Sequence, residues 1–233
     1  MSKSVAILQS SYIPWKGYFD LIRKVDCFVF YDDVDFSKNS WRNRNKIKTP
    51  KGAKWLSIPC GRNHLTPINQ VRIDNAPWQE QHFALLKQQY SNAPYWDMYL
   101  PFLEQTYLEQ KWGALSDFNQ TLIRYITQEL LGHVATEFDN SERYQLSANK
   151  GERVLQLLEQ TGATHYLSGP AAKDYLQEDE FVKRGITLEY MDYSGYPEYP
   201  QQHPPFEHGV TILDMLFNLG PATVDYMQPL KPR

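Results

Sequence analysis

Cysteine is scarce in this 233-residue chain: there are two, Cys27 and Cys60. They stand in separate apolar runs, form no CxxC pair and suggest no disulfide framework. No histidine or cation is visibly placed to lower the pKa of Cys60, which argues against a cysteine nucleophile. Six histidines are present, but none forms HxH or HExxH, and His203 and His208 fall in a proline-rich stretch, so a metal-centred hydrolase is disfavoured. Neither G-x-S-x-G nor a Walker pattern occurs, which disfavours serine hydrolases and P-loop enzymes. No apolar run approaches the roughly 18 residues that a membrane-spanning helix needs, and the opening MSKSVAILQSSYIPW is too short in its apolar part for a secretory signal. The chain reads as cytoplasmic, without membrane insertion. Its formal net charge of −3 gives no global attraction to nucleic acid or anionic lipid, so any anion site has to be local.

What the chain does have is aromatic: 16 Tyr, 11 Phe and 6 Trp, with 15 Pro, enough for an aromatic-lined cleft beside an aromatic core. VAILQ (5–9) and CFVFYDD (27–33) are short apolar runs of the kind that form buried parallel strands, and the stretch between them carries Tyr18, Phe19, Leu21, Ile22 and Val25 at helical spacing. A strand-helix-strand unit of this kind is right-handed almost without exception. NKIK and AKWLSIPC flank TPKG, a turn signal that predicts a β-hairpin, with INQVRID (68–74) as a third strand. Residues 78 to 131 then carry apolar residues at i, i+3, i+4 spacing, broken at Asn92-Ala93-Pro94 and Gly113, which predicts three helices. The α/β pattern resumes with ATEFD as a strand, SANKGERVLQLLEQTG as a helix with Ser147 as N-cap and Gly162 as its stop, THYLSG and ITLEYMDY as strands, and TILDMLFNLG as a last helix. The fold class expected is α/β: a single domain over 1–233 with an open, mostly parallel Rossmann-like sheet, a hairpin insertion at about 40–74 and a helical insertion at about 78–131.

In such sheets ligands lie beyond the carboxyl ends of the strands, which places QSSYIPWKG, the Asp32-Asp33 pair and LSGP on one rim. Residues 38–54 carry seven Lys and Arg and no acid. Arg offers a planar fork of donors for phosphate or carboxylate, and alternation on a strand would turn Arg42, Arg44 and Lys46 to one face and Asn43 and Asn45 to the other. Trp41 adds a stacking surface; a solvated basic loop is the plain alternative. Gln9, Tyr12, Trp15 and Gly17 close the first strand, where Gly17 permits close approach and the helix that follows aims free N–H groups outward. One of Asp32 and Asp33 would face the site as a proton acceptor or hold Mg bridged to phosphate, the alternative being a loop cap. Ser168 and Gly169 suit either close approach of a ligand or a plain tight turn.

Together QSSYIPWKGYFDLI, VDCFVFYDDVDFSKNSWRNRNKIK, WLSIP, THYLSGPAAKDYL and YPEYPQQHPPFEHGVTILDMLFNLG resemble the WbqC-like family of bacterial proteins, with matching segments at both ends of the chain. The resemblance implies a place in O-antigen or other surface-polysaccharide synthesis and transfer of glycine or another amino acid to a sugar. A second resemblance is to the nucleotidylyltransferase-like fold of pantothenate synthetase, in whose H-x-G-H loop Trp15 and Tyr18 would take the two histidine positions, leaving Lys38, Arg42 and Arg44 to stabilise charge. The expectation is an acyl transferase or amide ligase acting on a nucleotide-linked amino sugar: Arg42, Arg44 and Lys46 on phosphate, Trp15 and Trp41 for stacking, Asp32 or Asp33 as base, Gln9 and Asn43 orienting the acceptor. ATP with Mg, an aminoacyl thioester and aminoacyl-tRNA are all open as donors. An RNA-binding module without chemistry, its basic hairpin tracking a phosphate backbone, is the alternative, and a scaffold a third reading.

Overall fold

The apolar runs that open the chain become the centre of a five-stranded parallel sheet. The computed structural model describes residues 2–230 apart from 62, 64 and 133. In chain order its elements are β1 (Ser4–Leu8), α1 (Lys16–Arg23), β2 (Cys27–Phe30), β3 (Arg44–Thr49), β4 (Gly52–Ser57), α2 (Trp78–Tyr90), α3 (Trp96–Glu104), α4 (Leu115–Tyr125), β5 (Glu137–Asn140), α5 (Lys150–Thr161), β6 (His165–Ser168), α6 (Glu178–Lys183), β7 (Thr187–Tyr190) and α7 (Ile212–Leu219). The sheet order is β5-β2-β1-β6-β7, every pairing parallel. The architecture is α/β and Rossmann-like. Successive connections run away from β1 in one direction as far as β5 and then in the other through β6 and β7, so the switch lies at the carboxyl end of β1, where a crevice for ligands opens in folds of this kind.

Alternation along the strands divides the core in two. Ala6, Phe28, Phe30 and Leu167 pack with α1, α7 and the helical insertion, whereas Val5, Ile7, Cys27, Val29 and Tyr166 pack with α5 and α6. The sheet is therefore covered on both faces, as an all-parallel sheet has to be. α5 starts at Lys150 with Asn149 as its N-cap and ends at Gly162, whose φ of 71° closes the helix in the left-handed region. The expected cap, Ser147, lies upstream of the helix, where its N–H donates to Gln156 Oε1 at 3.1 Å. α6 corresponds to no helical pattern in the sequence reading.

The hairpin forms a separate two-stranded sheet, β3 against β4, with Thr49 opposite Gly52 across the turn. Its inner side chains, Asn45, Ile47 and Leu56, are buried. The expected third strand at 68–74 is absent: Ile68–Gln70 is a 3-10 turn, and Arg72 makes one isolated bridge to Ala114. The physical reason lies in its donors, since the N–H groups of Ile68 and Asn69 are taken by the carbonyls of Val34 and Asp32 in the exit from β2. In the insertion, α3 continues as a π turn at Gln105–Glu109 and α4 as another at Ile126–Leu130. Among the described residues no helix is long and apolar enough to cross a membrane.

Candidate functional site

A cavity of about 420 Å³ opens at the carboxyl end of β1. Its walls come from Leu8 of the strand, Ser11, Pro14 and Trp15 of the loop that follows, Tyr18 of α1, Trp41, Arg42 and Asn45 of the approach to the hairpin, and Gly209 of the late loop. The loop from β1 is fixed from below. Asn45 donates through Nδ2 to the carbonyls of Tyr12 (3.1 Å) and Ile13 (2.6 Å), which stabilises Ile13 at an unfavourable φ of 34°. The N–H of Tyr12 donates to the Trp41 carbonyl at 3.0 Å.

Arg42 is the cation of this cavity. Its Nη1 donates to Gln9 Oε1 at 2.7 Å and to the Gln9 carbonyl at 3.3 Å, while the Tyr18 hydroxyl donates to that same carbonyl at 3.0 Å. Among the described residues no carboxylate lies within 4.0 Å of the guanidinium. Burial pulls the Arg42 pKa down from the guanidinium range, opposed by Tyr18 and Asp32, and burial raises the Tyr18 pKa well above the phenol range. Gln9 thus positions Arg42 and is not itself in the cavity wall.

The other expected site residues divide sharply. Trp15 and Trp41 join Arg42 in the wall, and Trp15 is set edge-on against Tyr193 (5.1 Å) and Tyr196 (5.9 Å). Arg44 and Lys46 do not join it. They lie on the outer face of the hairpin over the Trp55 ring, at 4.2 and 5.3 Å from its centroid. Arg42 precedes β3, so strand alternation does not govern its direction, and the expected single face of three cations does not form. Lys38 is exposed on a turn outside the cavity wall. Asn43 is buried and donates to the Ile58 carbonyl at 3.0 Å, tying β3 to the exit of β4 in place of orienting an acceptor.

Tyr12 is fully buried, its hydroxyl 2.8 Å from His82 Nδ1 and 2.7 Å from the Tyr107 hydroxyl, so it anchors the loop to the helical insertion and offers nothing to a ligand. The two aspartates point to opposite faces of the sheet. Asp32 is buried and accepts from the Ser10 N–H (2.7 Å), Ser116 Oγ (2.5 Å) and Gln120 Nε2 (3.0 Å). Asp33 is ion-paired with Arg153 of α5 at 2.5 Å and accepts from Ser141 Oγ. Both carboxylates are engaged as structural acceptors, as in the loop-cap alternative, and neither lines the cavity. Ser168 turns to the α5 side, beside the Tyr166 hydroxyl at 3.3 Å, and Gly169 precedes a 3-10 turn with open space around it. Among the described residues no three His, Cys, Asp or Glu side chains converge on a metal position.

The close approach at Gly17 is made by the protein's own indole. A Cβ there would lie 2.4 Å from a ring atom of Trp15. Gly17→Ala is expected to push Trp15 off its wall position and to destabilise the fold by about 1–3 kcal/mol, read by urea denaturation and by the tryptophan emission maximum. An unchanged emission and midpoint would show that the indole has room to yield.

Sequence reasoning missed Lys16 and His208. Lys16 is the second residue of WKGY, buried to 2% exposure, with Nζ 3.0 Å from His208 Nδ1 and boxed by the rings of Tyr196 (4.7 Å), Tyr199 (5.6 Å) and Phe206 (5.7 Å). Burial lowers its pKa to about 8, against the pull of Asp20 and Asp214, and burial together with Lys16 lowers that of His208. The pair lies one residue from the wall at both ends, beside Trp15 and Gly209. The partners are 192 residues apart in sequence, so no local motif announces them.

The comparisons with known proteins agree with the resemblance. The uncharacterized protein Rv1507c of Mycobacterium tuberculosis (strain ATCC 25618 / H37Rv) is 42% identical over 229 residues, covering 97% of this chain and 98% of that protein. No solved structure matches. The WbqC-like family profile matches residues 9–226, a span that holds every cavity-wall residue but Leu8 as well as the Lys16–His208 pair, and the chain belongs to the WbqC-like protein family.

Proposed function

We propose that the cavity binds the phosphate-bearing part of a nucleotide-linked amino sugar, and that the protein transfers an amino acid or related acyl group to the sugar's amine in the making of a surface-polysaccharide precursor. The observation that carries this reading is Arg42, a desolvated guanidinium that opens on a cavity and has no carboxylate partner among the described residues. A buried charge without a counterion is costly, and a ligand anion supplies the missing partner in bidentate form. Trp15 and Trp41 supply flat apolar walls for a base or a sugar ring, and a space of about 420 Å³ is in the range of small-molecule sites. The proton of the attacking amine goes to the Lys16–His208 pair. Burial lowers the pKa of Lys16 to about 8, and burial together with Lys16 lowers that of His208, so one member of the pair is neutral near physiological pH and able to accept. The surface-polysaccharide context rests on membership of the WbqC-like family.

The test is thermal stabilisation against UDP- and dTDP-linked amino sugars, ATP with Mg, and acetyl-CoA. A ligand at a hundred times its Kd adds about 2.7 kcal/mol. The expected result is a shift with a nucleotide-sugar that is lost in Arg42→Ala and kept in part in Arg42→Lys. An undiminished shift in Arg42→Ala removes the guanidinium from the site, and no shift with any nucleotide-sugar overturns the reading.

A further inference from the structure

Residues 36–73 contain nine of the chain's 24 Lys and Arg and none of its 27 Asp and Glu. The hairpin at the centre of this segment presents a face that the cavity does not use. Trp41 and Trp55 are 47% and 40% exposed, with ring centroids 5.3 Å apart, and Arg44 and Lys46 lie over Trp55. Arg44 Nε, shielded from solvent, has no hydrogen-bond partner among the described residues. On one side Trp55 borders a groove of about 1110 Å³ whose wall includes Lys51, Lys54 and Asn92. On the other side its neighbour Trp41 is a wall of the Arg42 cavity. Groove, paired indoles and cavity thus form a continuous track.

We propose that this track binds the single-stranded 3′ end of an RNA and delivers its terminal group into the Arg42 cavity. Flat indoles suit nucleobases, which stack on them whatever their identity, and a cationic groove without acids suits the phosphates between them. A glycan-binding groove would be expected to offer carboxylates to sugar hydroxyls, and a membrane-inserting hairpin would carry its indoles at the tip. Here the tip is Pro50 and Lys51, and a guanidinium covers the Trp55 face. The inference rests on the transferase reading above and names its donor class, an aminoacyl ester on RNA. The sugar amine attacks the ester carbonyl carbon and gives its proton to the Lys16–His208 pair, the C–N bond forms as the C–O bond to the terminal ribose breaks, and the pair returns that proton to the leaving ribose oxygen. No further reactant is needed.

The test is fluorescence anisotropy of a short labelled RNA ending in ACCA. Binding is expected at about 50 mM salt, with a slope of log K on log salt near −3 for four phosphate contacts. Trp55→Ala should weaken it about tenfold or more, and Arg44→Ala should weaken it and flatten the slope. Trp55 is 40% exposed and Arg44 half-buried above it, so both variants should fold, with circular dichroism spectra that match the wild type. No binding at low salt, or binding indifferent to both substitutions, overturns the proposal. So does equal, Trp55-dependent binding of polygalacturonate or of phosphatidylglycerol vesicles, which would reassign the track to an acidic glycan or a lipid surface. The two readings fail separately: a nucleotide-sugar shift that depends on Arg42 without RNA binding removes only the RNA, and RNA binding without that shift removes only the sugar acceptor.

Discussion

Asp214→Ala is expected to cost the fold about 3–5 kcal/mol, measured as a loss in urea denaturation at pH 7. The carboxylate is fully buried in α7 and accepts from the hydroxyls of Tyr90 (2.8 Å) and Tyr199 (2.5 Å) and from Gln201 Nε2 (2.8 Å). Tyr90 in turn accepts from the Lys48 N–H at 2.9 Å, and Lys48 Nζ donates to the Pro205 carbonyl. One carboxylate therefore binds the helical insertion, the hairpin and the proline-rich late loop. Removing it strands two buried hydroxyl donors, each worth about 1–3 kcal/mol, and takes one of three acceptors from the half-buried Gln201 Nε2. Asp214→Asn keeps the volume and one carbonyl, and is expected to lose less. Burial raises the Asp214 pKa above the carboxylate range, so the folded state holds this proton more tightly than the unfolded state. Its contribution to stability accordingly falls as pH rises from about 4 through the folded pKa. Limited proteolysis gives the functional readout, since cleavage within residues 196–209 should accelerate in Asp214→Ala and expose Lys16. A resistant loop and an unchanged midpoint would show that other contacts hold it.

Acidification from pH 7 to pH 4 is expected to cost about 3 kcal/mol through His82 alone. Burial lowers the His82 pKa to about 4, opposed by a hydrogen bond with the Ser57 backbone. With the Tyr12 hydroxyl at Nδ1 and the Tyr107 hydroxyl next in line on Tyr12, the ring is a neutral member of a buried chain of polar groups. Unfolded histidine takes its proton near 6.5, so stability is full above that pH and is lost between about 6.5 and 4, as the unfolded state binds a proton that the folded state refuses. His82→Gln keeps an acceptor for the Tyr12 hydroxyl and removes the titration. The difference in unfolding free energy between wild type and His82→Gln should therefore shrink by about 3 kcal/mol over that range. Parallel pH profiles would mean that His82 takes its proton at the same pH folded and unfolded, and would overturn the shift.

The β1–α1–β2 unit was legible because apolar runs, helical spacing and breakers agree there, and the hairpin because TPKG leaves the chain few other courses. What failed depended on partners remote in sequence. INQVRID alternates like a strand, but its backbone donors are claimed by Val34 and Asp32. Sequence alone left one of Asp32 and Asp33 as base or as loop cap, because Ser116, Gln120, Ser141 and Arg153, which engage the two carboxylates, arrive from distant elements. Of the basic run, composition identified anion-seeking chemistry but not its division, since the step from the loop at Arg42 to the strand at Arg44 turns neighbouring cations to different surfaces. Lys16 is hidden in the most recognisable motif of the chain because its box is built from residues 196–208.

The span between Lys16 and His208 also has a temporal consequence. Ile212 donates its N–H to the Pro14 carbonyl and Thr211 to that of Lys46, so the loop from β1 and the hairpin both lean on chain made long after them. Long-range closures of this kind are late and slow events in folding. A nascent chain that has emerged only as far as α6 has its central strands and its basic segment, but lacks the cavity wall at Gly209 and the histidine beside Lys16. A chain cut before residue 208 would also lack the α7 side chains Ile212, Leu213, Met215, Leu216 and Phe217 that complete the larger core.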